Sequence, residues 1–96
     1  MRPSVVFDQN RQLIREAVAR RRTANPRIFG SVLHGTDNER SDIDILVDAL
    51  PGATLFDLGG LEEELTEKLG VPVQVVTPQE LHRFFKDKVL AEALPI

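Results

Sequence analysis

Apolar residues recur along the chain in two rhythms, one with helical spacing and one with strand spacing. Leu13, Ile14, Ala17 and Val18 make a single stripe at i, i+1, i+4 and i+5, which predicts a helix from an N-cap at Asp8 to about Ala24. Asn25-Pro26 ends it, because the residue before a proline avoids the helical region. Arg27-Ile28-Phe29 then reads as a short strand, Gly30-Ser31 as a turn, and Val32-Leu33-His34 as one helical turn closed by Gly35. Thr36 to Arg40 is a polar loop. From Ser41 to Val47 the rhythm becomes two: Ile43, Ile45 and Val47 share one face of a strand, and Asp42, Asp44 and Leu46 share the other. Asp48 falls on the aspartate face at its far end.

The helical rhythm returns after the Pro51-Gly52 turn. Thr54 with Asp57 resembles a capping box, Leu58, Leu61, Leu65 and Leu69 form the stripe, and Gly70 suits the position just past a helix. Gly59-Gly60 weakens this helix unless the pair allows close packing on another backbone. Pro72 opens a strand, Val73 to Val76. Thr77-Pro78-Gln79-Glu80 combines a threonine cap, a proline at the first helical position and a glutamate two further on, so a last helix is expected to start there. Its apolar side would carry Leu81, Phe84, Phe85 and Val89, and Leu94-Pro95-Ile96 is expected to pack down. Three strands alternating with helices predict an α/β fold, a small sheet covered by helices mainly on one face. At 96 residues the chain is expected to be a single domain, 1–96, with no room for a separate substrate domain.

Composition narrows the functional classes. The net charge of −3 gives no overall attraction to nucleic acid or to an anionic membrane. Arg11, Arg15 and Arg22 lie on one helix face, with Arg20 and Arg21 near its end. They suit the helix C-terminus, or form a basic face for an acidic partner or RNA. No aromatic residues interleave, so direct nucleic-acid binding by base stacking is not expected. With no cysteine there is neither a disulfide nor a thiolate metal site. The apolar runs are too short to span a bilayer, and the start lacks a signal-peptide core, so a cytoplasmic location is expected.

The candidate chemistry sits between Phe29 and Val47. Asp42 and Asp44, one residue apart on a strand, place two carboxylates side by side, where they repel unless a cation lies between them. Magnesium takes one or two protein carboxylates together with substrate phosphate oxygens. The Gly30-Ser31 turn just upstream offers backbone N–H groups to such phosphates. As a structural alternative, Asp42 is a strand-edge residue and Gly30 only a tight turn; for Asp44, an unpaired carboxylate in an apolar strand is costly.

Gly30-Ser31, a ten-residue gap and Asp42-Ile43-Asp44 resemble the signature of the DNA polymerase beta-like nucleotidyltransferase superfamily. The closer resemblance is to its minimal members, the MNT-type proteins, through Phe29-Gly30-Ser31-Val32, Gly35 and Ser41 to Val47, and it continues through the leucine helix, the valine strand and the Thr-Pro start. This resemblance implies a small mixed sheet, nucleotide phosphates at Gly30 and Ser31, and magnesium at Asp42 and Asp44, which would be the catalytic pair. It also implies ATP as substrate, transfer of AMP to a protein partner, and an MntA-like antitoxin role against a HEPN-type RNase toxin. Self-association is left open.

The sequence departs from the family pattern at two places. Leu33-His34 replaces the small-Arg pair before Gly35, so a titratable side chain stands where a fixed positive one is usual. Gln74 stands where the family's third carboxylate belongs, and an amide has no charge and takes up no proton. Glu39, Asp48 and Glu80 are the candidate acids to stand in for it. The alternative to an enzyme is therefore a degenerate nucleotidyltransferase fold that neutralises its partner by binding. A small-molecule or tRNA nucleotidyltransferase would need added domains to hold the acceptor.

Overall fold

A computed structural model describes residues 1–96. In chain order it has helices α1 (Pro3–Gln9) and α2 (Arg11–Ala19), strand β1 (Thr23–Phe29), helix α3 (Gly30–His34), strand β2 (Ile43–Ala49), helix α4 (Leu55–Leu69) and strand β3 (Val73–Val76). A 3-10 turn (Pro78–Glu80), helix α5 (Arg83–Glu92) and a two-residue strand β4 (Leu94–Pro95) complete it. The strands form one mixed sheet in the order β3-β2-β1-β4, with β2 and β3 parallel and the other two pairs antiparallel.

One face of the sheet carries the core. Ile43, Ile45 and Val47 of β2 are fully buried against Leu61, Leu65 and Leu69 of α4 and Ile14, Ala17 and Val18 of α2. The alternation read from the sequence therefore places the apolar face of β2 correctly, and helices cover mainly that side. The leucine helix is capped as expected. Asp57 Oδ2 accepts from Thr54 N at 2.9 Å, Thr54 Oγ1 accepts from Phe56 N at 3.2 Å, and Gly70 closes the helix at φ 72°.

The first helix differs from the expectation. It is two helices that meet at Asn10, whose Nδ2 donates to Val6 O at 2.7 Å. The second ends at Ala19 rather than Ala24, and β1 begins at Thr23. Asn25-Pro26 lies inside that strand: the register shifts between Ala24 and Arg27, and Asn25 adopts φ 54°. A bulge thus absorbs a proline that the local rule reads as a helix stop. The C-terminus is also rearranged. Thr77 and Glu80 do form a capping box, with Thr77 N donating to Glu80 Oε1 at 2.9 Å, but it closes only a 3-10 turn. The helix restarts at Arg83, capped by His82 Nδ1 accepting from Phe84 N. The Leu94-Pro95-Ile96 tail becomes a fourth strand on β1, with Ile96 N donating to Pro26 O at 3.0 Å.

Candidate functional site

The site assembles where β1 turns into α3 beside the start of β2. Phe29 and Asp44 are cross-strand partners, so the residue after Phe29 lies directly beside the Asp44 side chain. That residue is Gly30, at φ 75°. A Cβ at this position would run into the Asp44 carboxylate, so glycine is required here twice, by backbone conformation and by close approach. The Gly30-Ser31 turn and the Asp44 carboxylate are thereby one place rather than two. Ser31 O accepts from Thr36 N at 3.0 Å, which closes α3 into the polar loop.

Asp42 lies just before β2 rather than within it, because the strand begins at Ile43, whose N donates to Pro72 O at 2.9 Å. It remains close enough to Asp44 for the two charges to interact. Burial, and then the neighbouring Asp42, push the Asp44 carboxyl up to about 6. No cation or donor within the chain opposes this shift. Two half-buried carboxylates without a counter-charge make a donor set suited to a divalent cation that also takes phosphate oxygens. On the neighbouring strand the register places Gln74 directly beside Asp44, and Gln74 is exposed. No cluster of three or more His, Cys, Asp or Glu side chains stands ready to hold a metal ion.

The acids considered as stand-ins for the missing one are accounted for. Asp48 accepts from Arg27 Nη1 at 3.2 Å and from Asn25 Nδ2 at 3.1 Å at the far end of β2. Glu80 is held by Thr77, and Glu39 lies exposed in the loop. His34 pairs with Glu92 (Nε2 to Oε2 3.0 Å), so it joins α3 to the end of α5. The arginine run is largely structural. Arg20 and Arg21 bind Glu64 of α4, Arg22 donates to Gly52 O, and Arg15 donates to Gln12.

Local pattern reading misses one buried acid, Asp37. Its Oδ2 accepts from Ser4 N at 2.8 Å, capping α1, and its Oδ1 accepts from Arg2 Nη2 at 2.8 Å. Burial raises its pKa, yet the Ser4 N–H and the Arg2 guanidinium outweigh this and hold the carboxyl below its usual range. Arg2 also donates to Gly35 O, so the N-terminus clamps the loop that links the two halves of the site. Those partners lie 33 and 35 residues away in sequence, and no short motif announces them.

The nucleotidyltransferase domain family matches residues 11–96. Among curated relatives, “Putative protein adenylyltransferase MJ0435” of Methanocaldococcus jannaschii is 45% identical over 69 residues, 72% of this chain and 74% of the relative. A solved structure titled “Structure of putative minimal nucleotidyltransferase” is 34% identical, covers 97% of this chain and 95% of the other, and superposes with a TM-score of 0.86. A toxin–antitoxin crystal structure with AMP-PNP shares the fold at a TM-score of 0.76 and 23% identity, covering 90% of this chain and 71% of that one.

Proposed function

The chain belongs to the nucleotidyltransferase domain family, and from that premise we propose that it binds ATP with Mg2+ and transfers AMP to a partner protein, as antitoxin to a HEPN-type toxin. One observation carries the reading: Gly30 abuts the Asp44 carboxylate, so the Gly30-Ser31 turn and the carboxylate pair lie together. Asp42 and Asp44 would hold the cation, and the backbone N–H groups of Gly30 and Ser31 would orient the phosphates. A bound divalent cation supplies charge neutralisation and acidifies an attacking hydroxyl. In the reaction the acceptor oxygen forms a bond to the α-phosphorus, the bond to the leaving pyrophosphate breaks, and the hydroxyl proton passes to solvent water. Gln74, beside Asp44, has no means of taking that proton, so transfer is expected to be slow.

The same glutamine favours a second reading, neutralisation of the partner by binding alone. The two are separated by incubating labelled ATP and Mg2+ with the protein encoded by the adjacent reading frame. Transfer predicts labelled AMP on that protein, lost in Asp42→Ala/Asp44→Ala and raised in Gln74→Asp. Neutralisation that survives the double substitution without labelling supports the binding reading. Equal labelling by the double variant and the wild type contradicts the role given to the aspartates.

A further inference from the structure

α4 and the outer edge of β3 enclose a groove of about 470 Å³ that reaches Asp42 and Gln74. Its apolar lining includes Leu55, Leu58 and the valines of β3. Its charged lining has one sign only: Asp42, Glu62 and Glu80, with no lysine, arginine or histidine. Glu62 is anchored through Oε1, which accepts from Val75 N at 3.0 Å, and Glu80 through Oε1, which accepts from Thr77. Neither is in an ion pair, so both charges remain uncompensated.

Gly59 leaves one position on the α4 side of the groove without a side chain. It lies inside α4 and lines the groove, and a Cβ added to it would meet nothing within 4 Å. A glycine inside a helix is destabilising relative to alanine. At its neighbour Gly60 a Cβ would meet the flexible Arg21 guanidinium, which would have to move.

We infer that this groove seats the acceptor polypeptide, as a segment carrying arginine or lysine on either side of the residue whose hydroxyl is modified. This rests on the transfer reading above. An apolar trough rimmed by uncompensated carboxylates repels a triphosphate and attracts a cationic, partly apolar chain. The nucleotide and the acceptor therefore approach the aspartate pair from opposite sides, the nucleotide by the Gly30-Ser31 turn and the acceptor by the groove. The edge N–H groups of Val73 and Val75 are already taken by Thr66 Oγ1 and Glu62. The segment is held through side chains rather than by adding a strand to the sheet.

The test is fluorescence anisotropy on the whole chain without ATP. It uses two labelled peptides with the same apolar residues and the same central hydroxyl-bearing residue, one flanked by arginines and the other by glutamates. The arginine peptide should bind saturably below about 1 mM and the glutamate peptide at least about tenfold more weakly. Glu62→Gln with Glu80→Gln keeps the acceptor oxygens for Val75 and Thr77 and should weaken the arginine peptide by about tenfold or more. Gly59→Leu should abolish binding while leaving the thermal midpoint unchanged or higher, since helix propensity improves. No binding of the arginine peptide, equal binding of the two peptides, or indifference to the glutamine pair would overturn the assignment. So would sedimentation showing a dimer that Gly59→Leu dissociates, because the groove would then be filled by a second copy. Peptide binding is read without nucleotide, so its failure is distinct from a failure to bind ATP.

Discussion

Asp44 is held in an environment that disfavours its own charge. Its carboxyl is raised from 3.8 to about 6, first by burial and then by Asp42. A carboxyl raised in the folded state favours folding fully below its unfolded value, and that contribution is lost as pH rises through about 6. Without ligand, Asp44→Asn should therefore stabilise the protein at pH 8, by about 1–2 kcal/mol once the partial exposure of the site is allowed for. The gain should disappear below about pH 4, where both states of the wild type are protonated. Denaturant melts of both proteins at the two pH values check this. The price of the charge pair is consistent with a role beyond folding. The closeness of the two carboxylates was legible from their spacing, although Asp42 precedes the strand that alternation assigned it to. The consequence of Gly30 was not, since the contact that demands a glycine is made by a side chain fourteen positions on, across the sheet.

Among the elements, those whose signals are local came out as read. The α4 capping box, its leucine stripe and Gly70 all lie within one continuous helix, and the β2 alternation lies within one strand. Elements decided by distant partners did not. β1 extends through Asn25-Pro26 because β2 pairs with it from Thr23 onward, and β4 exists because β1 offers a free edge. α5 is the clearest departure. Its apolar side carries Phe84 and Phe85, yet these are 75% and 62% exposed, and no residue of the helix is buried. Phe84→Ser with Phe85→Ser should therefore shift the unfolding free energy by no more than about 0.5 kcal/mol, where buried phenylalanines would cost several. A urea titration decides between these. Helical periodicity identifies an apolar face but not whether the chain itself has anything to set against it.

At the scale of the whole molecule, charge is divided by region. Glu64 gathers Lys68, Arg21 and Arg20 where α4 crosses α2, and these partners hold its carboxyl down at about 2. Of the arginine run, Arg20 and Arg21 tie the end of α2 to α4, Arg22 holds the turn at Gly52, and Arg15 bonds within its own helix. No helix is long and apolar enough to cross a membrane. Elsewhere the acids have no ion-pair partner: Asp42 and Asp44 beside the glycine turn, Glu62 and Glu80 along the groove. We propose that the first pair, with Gly30 and Ser31, forms a metal–nucleotide site that Gln74 leaves short of one acid. Calorimetric titration of ATP into the wild type and Asp42→Ala/Asp44→Ala, each with and without magnesium, tests it most directly. Saturable, magnesium-dependent binding is expected of the wild type and none of the double variant. Absence of binding by the wild type, or equal binding by both proteins, would contradict the proposal.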